Sequence, residues 1–237
     1  MKNLFLFIAL FVFTTGLFAQ ESSSPKSKVY GGMGYFYSGV SFADLDALNT
    51  MLRDNGMPEL GNTSVSFGGG GQGIIGNFIL GGEGHGMVGE SGLNQTYRVS
   101  YSGGYGLFNI GYVVYAKPAV LIYPMLGIGG GGQSVTITNR STLPVSFSDL
   151  LEDPKHQSVL TKGSFLIDLS VNSNIFIFGN TGGNSSGGFL VGLRAGYLLE
   201  LSNARWYIDD QELVGGPDSG MSGPYIRLVI GGGGFSR

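Results

Sequence analysis

The sequence contains no cysteine, which excludes two kinds of exported protein. A lipid-anchored lipoprotein and a disulfide-stabilised domain both require cysteine. The chain must therefore be held together by backbone hydrogen bonds and by packing. The sequence has two histidines, and His156 lies in a loop region apart from the segment that contains His85, so we expect no metal site and no cofactor.

Charged residues are also few, at 12% of the chain against about a quarter in a typical soluble domain. The net charge is −3, and no basic patch or nucleic-acid-binding motif is present, so we expect no nucleic-acid partner. Glycine is abundant instead, with 44 of the 237 residues. This composition makes a poor surface for a soluble protein.

The first segment has the pattern of a secretory signal peptide. Lys2 supplies a positive charge, residues 4–13 form an apolar run, and residues 17–19 provide a cleavage site. A retained transmembrane anchor needs about 20 apolar residues, whereas this run is interrupted at residues 14–16. We therefore predict a signal peptide over residues 1–19 and a single domain over residues 20–237.

Apolar residues alternate with small or charged ones over residues 96–107. Successive side chains of a strand point to opposite faces, so this segment has an aromatic and aliphatic face opposite a face of glycine, serine, threonine and Arg98. The small polar face is typical of the interior of a narrow barrel whose exterior contacts lipid. We therefore predict that Tyr101 and Leu107 face lipid and that Arg98 faces inward.

The same alternation recurs in segments that are long enough to cross a membrane as tilted strands. The eight predicted strands are 29–40, 63–71, 77–88, 96–107, 119–138, 164–172, 188–201 and 225–235. An even number is typical of bacterial barrels, and eight is the smallest. Residues 175–178 could add a hairpin arm and raise the number to ten. The predicted fold class is all-β: a closed antiparallel transmembrane β-barrel, with short helices in its extracellular loops.

The connections between these strands differ in length. Residues 41–62, 139–163 and 202–223 are long and contain most of the acidic residues, while 75–77 and 116–118 are tight. Counted from a periplasmic N-terminus, the long connections all fall on one side. Long extracellular loops and short periplasmic turns are typical of outer-membrane barrels.

Two long connections share a segment, since residues 40–45 and 145–150 are near copies. In each, a serine can cap a helix whose first turn contains an aspartate. The apolar stripes on these helices are Phe42, Leu45, Leu48 and Leu52 in the first and Phe147, Leu150 and Leu151 in the second. The helices either cap the barrel rim or form a lid or a docking surface for a partner.

Glycine occurs in runs of four at residues 68–71, 129–132 and 231–234. None of these runs has the lysine, or the following helix pattern, of a phosphate-binding loop. Apolar residues of the fifth strand occupy even positions before residue 129 and odd positions after residue 132. This change predicts a one-residue bulge at the glycine run, because a bulge exchanges the two faces.

Residues 123–130, Tyr-Pro-Met-Leu-Gly-Ile-Gly-Gly, resemble the proline-aromatic-x-glycine-x-glycine strand of small outer-membrane barrels of the outer-membrane-protein-A type. The resemblance extends to the signal peptide, the strand number and the loop asymmetry, and it implies an eight-stranded barrel in the outer membrane. Two positions depart from the family pattern. Met125 stands where an aromatic residue is common, and Phe235 lies two residues before the end of the chain, where the family has a terminal aromatic residue.

Glu83 and His85 are the strongest candidates for chemistry, because their spacing places both on one face of a strand. A carboxylate can orient an imidazole as a general base, with Ser100 or Ser102 as the nucleophile, and some barrel enzymes that trim membrane lipids resemble this arrangement. The alternative is a polar lumen in which buried charges pair with one another, and we favour it. The predicted lumen network consists of Glu83, His85, Arg98, Asp168, Arg194, Glu200 and Arg227.

An eight-stranded barrel is only wide enough for its own side chains, which argues against an open channel. The predicted function is therefore that of an integral outer-membrane scaffold or accessory subunit with a largely closed lumen. We expect it to contact outer-membrane lipid and, through its extracellular loops, another envelope protein. The alternatives are a porin-like pore for small solutes and, third, a lipid-processing barrel enzyme.

Overall fold

The structure is a computed structural model that describes residues 28–117, 119–141, 144, 146–154, 156–177, 179, 184–201 and 205–237. The predicted signal peptide lies outside the described residues. Two helices are present in the described ranges, α1 (Asp46–Asp54) and α2 (Phe147–Glu152). No helix of this part of the chain is long and apolar enough to cross a membrane.

Twelve strands occur within the described residues. In chain order they are β1 (Tyr30–Phe42), β2 (Thr63–Ile75), β3 (Phe78–Gly89), β4 (Gly92–Leu93), β5 (Tyr97–Tyr112), β6 (Tyr115–Lys117), β7 (Val120–Asn139), β8 (Gln157–Ile177), β9 (Ser185–Glu200), β10 (Trp206–Ile208), β11 (Gln211–Leu213) and β12 (Gly223–Ser236). Eight of them are long and pair in the order β1-β2-β3-β5-β7-β8-β9-β12, all antiparallel. The last of these pairs with β1, which closes the wall.

This closed eight-stranded barrel confirms the predicted fold class and the likeness to small outer-membrane barrels. The ten-stranded alternative is excluded, because residues 175–177 continue β8 and pair with β9, and Ile175 also pairs with β7. We call the side with connections 43–62, 90–96, 140–156 and 201–222 the loop end. The opposite side, with connections 76–77, 113–119 and 178–184, is the turn end.

The outside of the barrel is mostly apolar. Leu193, near the middle of β9, is 48% exposed, and Ile167 and Tyr197 lie on the same outer face. Similar outward residues of the other strands include Phe36, Phe67, Leu80, Phe108, Ile128 and Leu228. A continuous apolar exterior of this kind is typical of a barrel that meets lipid.

The orientation predicted for β5 is wrong. Tyr101 and Leu107 are buried inside the barrel, whereas Arg98 is exposed at the loop end of the strand. Ser100 and Ser102 share the outer face with Arg98. The physical reason is that the interior at this end contains apolar clusters, so the aromatic face of the strand is buried there and the small residues point outward.

The bulge predicted in β7 is also absent. Its pairing with β5 and with β8 runs through residues 129–132 without a shift in register. Val135 is buried inside on the same face as Leu121 and Tyr123. The glycines allow close approach of the strands instead, because a Cβ at Gly129 would lie 1.9 Å from the carbonyl oxygen of Gly106.

Of the two predicted serine caps, only the second exists. Ser146 accepts a hydrogen bond from the Asp149 amide, and the Asp149 side chain accepts one from the Ser146 amide, so α2 begins with a capping box. Ser41 belongs to β1 instead, where it pairs with Ser64 and Tyr225. The first helix begins after Leu45 without a side-chain cap.

Candidate functional site

The interior of the barrel contains a buried ion pair that joins opposite walls. Glu83 points inward from β3 and Arg194 from β9. The Nη1 group of Arg194 donates to both carboxylate oxygens of Glu83, at 2.7 and 2.6 Å, and its Nε donates to Asn172 Oδ1 at 2.5 Å. The side chains of Arg194 and Glu83 are 1% and 0% exposed. Such charges are tolerated away from water because they are paired and hydrogen-bonded.

Aromatic rings surround this pair. Tyr35 donates its hydroxyl proton to Glu83 Oε2 at 3.1 Å. His85 lies 3.1 Å from the other carboxylate oxygen, and its ring is stacked between Tyr37 and Tyr105, with centroid distances of 4.4 and 4.2 Å. The imidazole is thus held on both faces and at one edge, and it is fully enclosed.

A second arginine extends the network. Arg227 donates to the Tyr105 hydroxyl at 2.6 Å and to Ser66 Oγ at 3.3 Å. Its guanidinium lies 3.7 Å from the ring centroid of Tyr225, which is a cation–π contact. The hydroxyl of Tyr225 donates to Asp168 at 3.0 Å, so Asp168 joins the network through a tyrosine.

Glu200 belongs to a separate ion pair nearer the loop end. Lys162 Nζ lies 3.0 Å from Glu200 Oε1 and donates to the carbonyl oxygen of Ser219 at 2.8 Å. The other oxygen of Glu200 accepts the Met221 amide at 2.8 Å. This pair therefore fastens the last loop, 201–222, to the inside of the barrel.

The structure thus brings together five of the seven predicted network residues: Glu83, His85, Asp168, Arg194 and Arg227. Glu200 lies in the second pair, and Arg98 is exposed on the outer surface. Lys162 was not among the predicted residues, although its even spacing from Asp168 along β8 places both on one face. The tyrosines that join the charges were not predicted either.

The arrangement does not support the predicted Ser nucleophile. Ser100 and Ser102 lie on the outer face of β5, while His85 points into the barrel. The rings of Tyr37 and Tyr105 cover both faces of the imidazole. Among the described residues, no group of three or more histidine or acidic side chains could hold a metal ion.

The first rim helix closes the barrel mouth. Leu45, Leu48 and Leu52 are buried against inward-facing residues of the wall, including Tyr101 and Val135. The Leu48 amide donates to Ser219 Oγ at 2.8 Å, and Asn49 exchanges two hydrogen bonds with the backbone of Leu60. Phe42 is not part of this stripe, because it ends β1 and is exposed on the outside.

The second rim helix does not close the mouth. None of its residues is buried, and Phe147 and Leu151 are 75% and 68% exposed. Leu150 is exposed as well. Of the two predicted roles for the rim helices, α1 has the geometry of a lid, while α2 leaves its apolar residues available.

Comparison with solved structures finds similar barrels at low identity. The crystal structure of Ail, the attachment invasion locus protein of Yersinia pestis, is 11% identical over 89% of this chain and 99% of that chain, with a TM-score of 0.41. Its complex with the heparin analogue sucrose octasulfate gives 13% identity, 88% and 97% coverage and a TM-score of 0.38. The outer membrane protease OmpT from Escherichia coli is 10% identical over 92% of this chain and 98% of that chain, with a TM-score of 0.27. No protein-family model and no curated protein matches the sequence.

Proposed function

We propose that the protein is an integral outer-membrane barrel that conducts no solute and serves as a scaffold, with its extracellular loops docking another protein of the envelope. The loop end is the extracellular end in this proposal, because long loops face outward in such barrels. The single observation that carries the proposal is the filled interior. Helix α1 occupies the mouth, and two layers of ion pairs lie beneath it.

The layers below the charges support a sealed interior as well. Gln72 and Asn174 both donate to the Tyr123 hydroxyl, at 2.7 and 2.9 Å, across the barrel. Nearer the turn end, an apolar cluster fills the remaining width with residues that include Ile79, Leu121, Phe176 and Leu190. A solute would have to displace apolar, amide and ion-paired layers in turn.

The organisation of the loops supports a docking role. The hydroxyl of Ser219 accepts a hydrogen bond from the Leu48 amide. The carbonyl oxygen of Ser219 accepts hydrogen bonds from the side chains of Gln133 and Lys162, at 3.1 and 2.8 Å. One residue thereby ties the first and last loops to each other and to the barrel wall. A surface that is ordered before binding loses less conformational entropy when a partner arrives.

Conductance measurements test the proposal. The protein without its predicted signal peptide, reconstituted into planar bilayers, should give no stable conductance steps, and vesicles that contain it should not swell in small sugars. Helix α1 and the ion pairs block the path, so this result should hold at every applied voltage that the bilayer tolerates. Stable wild-type conductance would overturn the sealed-scaffold proposal in favour of the pore.

A further inference from the structure

An apolar cavity of about 290 Å³ opens at the loop end beside α1. We call it the rim pocket, and residues that line it are Leu52, Met57, Ile137, Leu160, Trp206 and Leu213. Its size suits one bulky apolar side chain. Val214, at its edge, is 97% exposed, so the apolar surface continues from the pocket towards water.

The walls of the rim pocket are fixed before any ligand arrives. The indole of Trp206 donates to the carbonyl oxygen of Pro217 at 3.0 Å, which sets the orientation of the ring. Helix α1 forms the opposite wall and is held by Ser219 and Leu60. Binding sites are usually largely preformed, and this cavity has that property because both of the loops that form it are bound to the barrel.

The loop end as a whole is acidic. Twelve of the sixteen acidic residues of the sequence lie in the four loop-end connections, which contain four basic residues. Two of those basic residues are already ion-paired, Arg53 with Glu59 and Arg205 with Glu212. A recess of about 530 Å³ shares residues 213–217 with the rim pocket and is lined by Glu212 and Asp218.

We propose that the rim pocket binds a cationic polypeptide segment that inserts one aromatic or branched apolar side chain beside Trp206. This inference rests on the proposed docking function and names the chemistry of the partner. Glu212 and Asp218 line the recess beside the pocket, and the loop-end connections carry an excess of acidic over basic residues, so positive charges next to the inserted side chain are favoured. The same negative charge disfavours anionic ligands such as fatty acids and phosphate-bearing lipids.

Trp206 provides the measurement, because it is the single tryptophan of the sequence. The probe is the peptide Lys-Lys-Phe-Lys-Lys, titrated into the protein in phosphatidylcholine nanodiscs, with empty nanodiscs as the blank. We expect a saturable change in tryptophan fluorescence. The affinity measured in this way should fall as the salt concentration is raised, because salt screens exposed charges. Replacing the phenylalanine of the peptide by alanine should weaken binding about tenfold, as for an anchor residue.

Two protein variants locate the site. Leu213→Asn changes the pocket lining and should weaken binding about tenfold, whereas the matched change Leu151→Asn on α2 should leave it unaltered. Folding of each variant is checked by its heat-dependent shift in gel mobility. If Leu213→Asn fails to fold, Val214→Ser, at a fully exposed position of the pocket edge, takes its place.

The inference is overturned if wild-type protein shows no saturable response, if Leu213→Asn and Leu151→Asn bind equally, or if Glu-Glu-Phe-Glu-Glu binds as tightly as the lysine peptide. These failures leave the sealed scaffold standing, because they do not concern conductance. Stable conductance contradicts the scaffold itself, whatever the peptide does. The two proposals are therefore tested separately.

Discussion

Removing the carboxylate of Glu83 should destabilise the barrel far more than removing an exposed charge such as that of Arg98. In Glu83→Gln the guanidinium of Arg194 stays buried without the counter-ion that now accepts two of its hydrogen bonds. Tyr35 and His85 also contact that carboxylate, so the variant disturbs three neighbouring groups at once. Losing one partner of a buried ion pair costs about 3–5 kcal/mol, and we expect a loss of this size in the free energy of unfolding.

The double variant separates the charge from the packing. In Glu83→Gln combined with Arg194→Met, no uncompensated charge remains at this position, so the combined loss should fall short of the sum of the two single losses by about 1–3 kcal/mol. Arg98→Gln is the matched surface control, since Arg98 is exposed, and it should change the free energy by no more than about 0.5 kcal/mol.

Urea unfolding of the protein in phosphatidylcholine vesicles, followed by Trp206 fluorescence, gives these free energies. Trp206 is buried at the rim, so its emission reports loss of the folded barrel. If Glu83→Gln costs no more than Arg98→Gln, or if the two interior changes are additive, the buried pair is not the structural centre that its geometry indicates.

Three further predictions concern the wall and the mouth. Leu193→Arg should cost about 2–4 kcal/mol in vesicles if Leu193 lies near the bilayer midplane; an unchanged unfolding midpoint would contradict the lipid-facing assignment. Leu48→Asp should lower the free energy of unfolding by about 2–5 kcal/mol through loss of core packing, yet it should give no conductance, because the ion-paired layers below it remain. Conducting channels formed by this variant would show that α1 alone seals the barrel. Gly129→Ala should lower the free energy of unfolding by about 1–3 kcal/mol, because the new Cβ would meet the Gly106 carbonyl oxygen. Gly84→Ala is the control and should fold normally, because a Cβ there would have no atom within 4 Å. Equal stability of the two variants would refute the close approach of strands at Gly129.

The strand number and the orientation of β8 and β9 were predictable from the sequence. In both strands each face is chemically uniform along most of its length, so Asp168 and Arg194 had to share the interior. The charge of these residues decided the orientation, because an unpaired charge in lipid is far more costly than a glycine in the interior.

The orientation of β5 was not predictable by the same rule. At the loop end, the interior side of β5 has to cover the apolar face of α1, so Tyr101 is more stable inside, and the small residues of β5 take the outer face there. Alternation fixes which residues share a face but does not say which face is the inner one. The change from even to odd apolar positions along β7 has the same cause. Near the loop end the inward positions carry apolar residues, since Val135 packs beneath α1, and the strand needs no bulge.

The partners within the site were harder to predict than its members. Glu83 and Arg194 are 111 residues apart in the sequence, and their contact depends on the tilt and stagger of strands from opposite walls. Glu200 is separate from this pair for the same geometric reason, because the stagger of the strands places it beside Lys162, with which it forms its own ion pair.

The seam between β1 and β12 has a consequence for how the molecule is made. Tyr30 and Ser236 are pairing partners, so the wall closes only after nearly the whole chain has been synthesised. Until β12 arrives, the nascent sheet has two free edges, and the apolar residues of its future outer surface have no lipid to meet. Long-range pairing of this kind is slow and leaves the chain prone to aggregation. A chain interrupted before β12 is therefore an open sheet rather than a smaller barrel, and each copy has to be kept apart from its neighbours until its final strand is in place.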